Sequence, residues 1–356
     1  MSGNDIDSEN LYLNDSFAKK QKIDQLNKLT LHHIENCREY RSILAARNLK
    51  SDAQILEDLP YIPARLFKHL DLMSMPDSQI FKVMTSSGTS GNVSKIYLDK
   101  FTAQKQTKVL SSTMKLLMNK ARLPMIIVDT DEIVNNRQRF NARAAGIFGF
   151  SMFGRDHFYC LDKDMNLKYD ELQEFINKHS ETGIFIFGFT FIIWQNLISQ
   201  LRKLNIFLDI GPNSILLHGG GWKKLEELNI SNELFKLNIK AYTGIEKIKN
   251  YYGMIEQTGS IYLECEEGYF HTTKFSDVII RDPVKNFEPT SEDGVIQVIS
   301  TLPHSYPGHS ILTEDVGKIL GENSCACGRG GKYFVVYGRM AGAEMRGCSD
   351  TRVLGG

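Results

Sequence analysis

The stretch "GIFIFGFTFIIWQNLISQLRKLNI", residues 183–206, carries two periodicities in a single line. Its first seven residues are apolar or glycine without a break, which reads as a strand buried on both faces. From Ile192 onward the spacing becomes helical, and Ile193, Leu197, Leu201 and Leu204 fall on one face. A buried strand followed at once by an amphipathic helix belongs to a sheet covered by helices. The longest mainly apolar run, residues 183–194, is twelve residues long. A bilayer span needs about 20, so no membrane span is expected here. The run reads as sheet core, although some of it could also wall a tunnel for a long aliphatic chain.

The alternation continues in both directions. "MIIVD" (125–129) is a short strand, "YDELQEFINKH" (169–179) a helix, and "SILLHGGG" (214–221) a strand running into a glycine turn. The expected fold class is therefore α/β, with ligands at the carboxyl ends of the strands. Further on, the region from "GVIQVIS" (294–300) to "YFVVYGR" (333–339) is richer in strands and turns and predicts a smaller β-rich subdomain. Upstream, residues 1–15 read as loose. The helical "LTLHHIENCREYRSILAARNL" (29–49) ends before the turn-rich "LPYIPARLF" (59–67). There is no internal repeat and no proline- or serine-rich linker, so residues 1–337 are expected to form one catalytic body, followed by a hinge and short segment over 338–356.

Composition narrows the function classes. Lys+Arg and Asp+Glu stand at 42 each in 356 residues, so no net field favours nucleic acid or an acidic membrane. Six cysteines are too sparse for a disulfide scaffold. The polar N-terminus "MSGNDIDSEN" is unlike a signal peptide, and a reducing cytoplasm is the expected setting.

Five stretches could carry chemistry. In "MTSSGTSGNVSKIYLDK" (84–100), every residue from Thr85 to Asn92 is small and polar, and Lys95 follows. Such a loop lets backbone N–H groups approach a phosphate; it also fits a Ser/Gly surface turn. It is not a Walker A loop, since it has no Gly-Lys pair. In "HGGGWKK" (218–224), three glycines after a buried strand permit close approach of a flat ring, or simply a tight turn. In "YYGMIEQTGSIYLECE" (251–266), Tyr252 offers a ring and Glu256 a carboxylate for a hard cation such as Mg²⁺, with Glu264 and Glu266 on a polar rim. In "ILTEDVGKI" (311–319), Asp315 at a strand-to-turn position could accept from a ribose diol. In "VYGRMAGAEMRGCS" (336–349), Arg339 suits a cation-bearing hinge. There Cys348 lies among charged residues and glycines, a setting that exposes a thiol and favours the thiolate. "CACGRGG" (325–331) holds Cys325 and Cys327, but the spacing is not that of a zinc ribbon or finger. Cys265, His271 or His304 could complete a site only through folding. Otherwise the pair reads as two ordinary thiols in a glycine-rich turn. His32, His33, His157 and His179 show no partner pattern.

Taken in order, these stretches resemble the adenylate-forming superfamily. "TSSGTSG", "GGGWKK" and above all "RGCS" resemble the bacterial acyl-protein synthetase family, known for the fatty-acid-activating component of the luminescence fatty acid reductase. "LPYIPARLFK" (59–68) resembles its entry segment, and the similarity runs from about residue 25 to the end. The resemblance implies that Thr85, Ser86, Ser87, Gly88, Thr89, Ser90 and Gly91 form an ATP-phosphate loop with Lys95 as its cation. Gly219, Gly220 and Gly221 would line an adenine pocket with Tyr252 on the base. Glu256 would hold Mg²⁺, Asp315 the ribose, Arg339 the ribose or phosphate, and Cys348 the acyl group as a thioester. The substrate implied is a fatty acid, and the partner a reductase or acyltransferase that takes the acyl group.

Departures from the superfamily pattern are expected to matter. The loop has one extra residue before Lys95, and Ala341 and Gly342 stand where an acidic hinge residue is usual. The C-terminal lid domain is expected to be largely absent, so Lys95, Lys223, Lys224 or Arg339 would cover the work of its lysine. A coenzyme A ligase for an aryl or short acid, and a non-catalytic nucleotide-binding module, are the competing readings.

Overall fold

The computed structural model describes residues 10–86, 93–118, 122–135, 142–220 and 222–340. They divide into two compact units, one taking residues 10–86, 93–117 and 252–340, the other lying within Met118–Tyr251.

The second unit is the α/β body read from the sequence. Five strands run parallel in the order Gly154–Tyr159, Leu123–Ile127, Phe185–Phe189, Ile215–Gly219 and Lys247–Tyr252. Every residue of Phe185–Phe189 and of Ile215–Gly219 is buried, as expected for strands covered on both faces. Phe185–Phe189 is thus sheet core, and the rest of the apolar stretch, from Thr190 to Trp194, is helical. Helix Tyr169–His179 forms where its spacing predicts, with Leu172, Ile176 and His179 inward. Helix Asn232–Thr243 has both terminal signals: Ser231 accepts from the Leu234 amide at its start, and Gly244 closes it at φ +66°.

The stripe after residue 192 needs one correction. Residues Ile193–Ile198 form a π-helical turn, and Leu204 is 57% exposed. The wider turn shifts the phase of the stripe, so Ile193, Leu197 and Leu201 point inward while Leu204 does not.

The first unit holds the β-rich part. Seven strands form one sheet among the described residues, centred on the antiparallel set Ser276–Asp282, Gly294–Ser300, Ser310–Glu322 and Lys332–Arg339. The N-terminal helical region breaks into Ser16–Asn36 and Arg38–Ala46, because Cys37 adopts an extended conformation between them. Asp15 caps the first helix by accepting from the Ala18 amide. The segment before it is ordered at its end: Leu11 is fully buried and its carbonyl accepts from the Lys274 amide at 2.9 Å.

Two buried polar clusters hold this unit together. Lys22 sits in the inward stripe of the first helix and pairs with Asp277 at 2.8 Å; Lys332 reaches the same carboxylate at 3.0 Å. Burial alone would raise the Asp277 carboxyl, but the two ammonium groups outweigh it and bring it down to about 2. His33 and His309 stack at 4.9 Å, and His32 and His304 at 4.0 Å. Thr30 and Ser74 bond the buried His309 and His33 rings. The histidines read as unpatterned in sequence are therefore partly a packed cluster.

Candidate active site

Glu256 lies in the short helical turn Ile255–Gln257 and is 5% exposed. Its Oε1 accepts from the buried Ser94 hydroxyl at 2.8 Å. Among the described residues no hydrogen bond reaches its Oε2, so the carboxylate is oriented by one oxygen and has the other to offer. A hydrogen bond to a charged group contributes about 1.5–3 kcal/mol, enough to fix this rotamer. Ser94 was not singled out by its sequence context; only its position just before Lys95 hinted at it.

The strands Lys82–Thr85 and Lys95–Leu98 form the stem of the small-residue loop, with Thr85 opposite Lys95. The stem is locked at its mouth, where the Ser86 amide donates to the Ser94 carbonyl and the Ser94 amide donates to Ser86 Oγ at 2.8 Å. Ser87, Gly88, Thr89, Ser90 and Gly91 lie outside the described residues. Lys95 is exposed and pairs with Asp71 at 3.5 Å. The Tyr97 hydroxyl, bonded to the same carboxylate at 2.7 Å, and then Lys95 hold Asp71 below its ordinary range. The candidate phosphate cation thus stands on the stem with a carboxylate neighbour.

The third cluster is the tightest. Asp315 and Arg339 are register partners on adjacent antiparallel strands. Asp315 lies inside the long strand Ser310–Glu322, which corrects the strand-to-turn expectation. Its Oδ2 accepts from the Tyr252 hydroxyl at 2.7 Å, and its Oδ1 is 3.6 Å from Arg339 Nε. The Tyr252 ring packs near Tyr262, Phe270 and Phe334, so its hydroxyl rather than its face meets the candidate ribose ligand. Arg339 Nη2 donates to Glu314, which Arg65 also holds at 3.0 Å. Among the described residues, Arg339 Nε and Nη1 are buried and make no hydrogen bond. Buried donors are normally hydrogen-bonded, and here Nη1 has no hydrogen bond and Nε only the Asp315 carboxylate at ion-pair distance, a pattern that an anion or polyol would complete. The residues present fit a nucleotide in this respect. Glu314, which anchors the arginine, was missed in sequence because it reads as one more acidic strand residue.

In the second unit, Gly219 ends its strand against Tyr251, and a Cβ there would come within 2.6 Å of the tyrosine ring. Gly220 has φ +68° and is exposed, while Gly221 lies outside the described residues. The glycines are therefore required by close packing and by a left-handed turn. His218 just before them is buried and bonds Thr190 Oγ1 at 2.9 Å; burial, then Lys236, pushes its imidazole down to about 3. The side chains of Lys223 and Lys224, and all of Cys348 with Ala341 and Gly342, lie outside the described residues. No helix among the described residues is long and apolar enough to cross a membrane.

The family described as "Acyl-protein synthetase, LuxE" matches residues 5–353. The long-chain-fatty-acid–luciferin-component ligase of Vibrio harveyi is 22% identical over 330 residues, spanning 89% of this chain and 83% of its own length. The ligase of the same description from Aliivibrio fischeri is 23% identical over 315 residues, 85% of this chain and 80% of its own. Among solved structures, an open conformation of 2-hydroxyisobutyryl-CoA ligase with 2-HIB-AMP and CoA superimposes with a TM-score of 0.69. It is 14% identical and covers 95% of this chain and 78% of its own, which establishes the fold.

Proposed function

Because the chain belongs to the acyl-protein synthetase, LuxE, family, we propose that it activates a fatty acid with ATP and carries the acyl group as a protein thioester. The observation that carries this reading is the Tyr252–Asp315–Arg339 cluster, with its two unmatched guanidinium donors in a chain of this family.

A carboxylate is a poor acyl donor because its leaving group would be oxide. One oxygen of the fatty acid attacks the α-phosphorus of ATP, and the bond to pyrophosphate breaks. The chain's part is orientation and charge neutralisation. Asp315 accepts from the ribose hydroxyls while Tyr252 fixes its rotamer. Arg339 places Nε and Nη1 on ribose or phosphate oxygen. Thr85, Ser86 and the loop to Gly91 receive the phosphates, with Lys95 exchanging Asp71 for them. Glu256, held by Ser94, is the residue for Mg²⁺, which would draw charge from the phosphates. The Gly219–Gly221 turn is proposed as an adenine-facing surface. In the second step a thiolate, assigned to Cys348, attacks the acyl carbon and AMP leaves. A reductase or acyltransferase would then collect the acyl group.

The test is intact mass after incubation with ATP, Mg²⁺ and a panel of fatty acids. The wild type gains one acyl mass, while Cys348→Ser gains none yet still exchanges pyrophosphate into ATP. Hydroxylamine-sensitive label on the Cys348→Ser protein would overturn the acceptor, and coenzyme A-dependent thioester formation by that variant would select a coenzyme A ligase instead.

A further inference from the structure

Four side chains from two distant parts of the sequence converge in the first unit. The donor atoms of Cys265, His271, Cys325 and Cys327 all lie within 4.8 Å of one another. Cys265 Sγ is 4.0 Å from Cys325 Sγ, and Cys327 Sγ is 3.4 Å from His271 Nε2. Zinc bonds sulfur at about 2.3 Å and imidazole nitrogen at about 2.0–2.1 Å. A tetrahedron with those bonds has S···S edges of about 3.8 Å and S···N edges of about 3.5 Å. The two measured separations straddle these edges. A disulfide needs sulfurs about 2.05 Å apart, so the Cys265–Cys325 pair is not one.

We propose that Cys265, His271, Cys325 and Cys327 form a structural zinc site. Three thiols and one imidazole, with no oxygen donor, are the donor set of closed tetrahedral zinc sites. On binding, the ion displaces three thiol protons to solvent and leaves a site of net charge −1.

The surroundings fit such a site. His271 turns Nε2 to the cluster while its Nδ1 faces the Gly330 carbonyl at 3.5 Å, the outer partner that a ligating histidine ordinarily keeps. The Arg329 amide donates to Cys327 Sγ at 3.4 Å, which steadies a thiolate. Two ligands head matching tight turns: the Gly268 amide donates to the Cys265 carbonyl and the Gly328 amide to that of Cys325. Both glycines have left-handed φ, +81° and +78°.

The site answers a question of order. Residues 323–331, "NSCACGRGG", join strands Ser310–Glu322 and Lys332–Arg339 with almost no apolar side chain to bury. The metal would clamp that connection to the two-residue strand Phe270–His271 beside it. Seven residues separate Asp315 from Glu322, about 23 Å of strand, so the ion holds the far end of the ribose-binding strand pair and touches no substrate. The inference does not depend on the catalytic reading.

The test uses the full chain, purified without a metal-affinity tag from cells grown with added zinc. Elemental analysis is expected to give one zinc per chain, and X-ray absorption a shell of three sulfurs and one nitrogen. Cys325→Ser and Cys327→Ser are expected to lower the zinc content at least tenfold. Because those variants could fail to fold, the wild-type absorption spectrum decides independently. Metal-free wild-type protein with freely titrating thiols, iron in place of zinc, or an oxygen-rich shell would each overturn the assignment.

Discussion

Replacing Arg339 by methionine separates a nucleotide-binding arginine from a merely structural one. The guanidinium makes one hydrogen bond, to Glu314, and buries Nε and Nη1 without hydrogen-bond partners among the described residues. If ATP completes those two donors, each contributes about 1.5 kcal/mol at the lower end for charged groups. Their joint loss of about 3 kcal/mol corresponds to a roughly 100-fold weaker hold on ATP. Stability should respond far less. Methionine removes two donors without hydrogen bonds, each costing about 1–3 kcal/mol in the folded state, which offsets the loss of the 3.6 Å ion pair with Asp315; Glu314 retains Arg65 at 3.0 Å and Asp315 the Tyr252 hydroxyl at 2.7 Å. The folding free energy should then stay within about 2 kcal/mol of wild type. Pyrophosphate exchange as a function of ATP concentration reads the first quantity, and urea unfolding reads the second. An unchanged KM for ATP, together with a stability loss above about 3 kcal/mol, would show that Arg339 only ties strands together.

Two further outcomes concern stability. Asp277→Asn leaves Lys22 and Lys332 buried without their shared carboxylate and should cost about 3–5 kcal/mol in urea unfolding; a loss under about 1 kcal/mol would contradict the buried triad. In acid, the histidines should act before the carboxylate. Burial pushes His309 and His218 down to about 3, so each binds a proton more readily unfolded, and its contribution is complete above about 6.5 and erodes as pH falls towards 3. At pH 5 each should cost about 2 kcal/mol. The Asp277 contribution, with its folded carboxyl near about 2, persists until pH drops below about 4. A flat stability profile from pH 7 to 5 would refute the burial of these rings.

The centre of the parallel sheet was legible because strands such as Phe185–Phe189 and Ile215–Gly219 are buried on both faces and leave apolar runs, whereas the partly exposed Gly154–Tyr159 and Lys247–Tyr252 leave none. What escaped sequence reading shares a physical cause, namely contacts between residues far apart in the chain. Asp315 was read at a strand-to-turn position, with Gly317 two residues on. In the fold a Cβ at Gly317 would come within 2.2 Å of the Val335 carbonyl, so the glycine serves a bulged strand rather than a turn. Tyr252 was legible as a site residue but not through its hydroxyl, whose partner lies 63 residues away. Lys22 gave no signal, since a lysine in an apolar stripe becomes interpretable only when Asp277 arrives opposite it. The candidate catalytic residues were proposed from motif order; Ser94 and Glu314, which bond Glu256 and Arg339, carried no such signal.

The discontinuity of the first unit has a consequence for synthesis. Its two N-terminal helices are complete before residue 50, yet the strands they pack with are not finished until residue 339. On the ribosome, Met118–Tyr251 has its own contiguous sequence and can settle while the chain is still growing. The earlier segment must wait roughly 15–60 s, at about 5–20 residues per second, for the last strand to emerge. During that interval the helix bearing Lys22 displays its inward face to solvent, which makes this stretch the natural hold for a chaperone and the weak point of any prematurely terminated translation product.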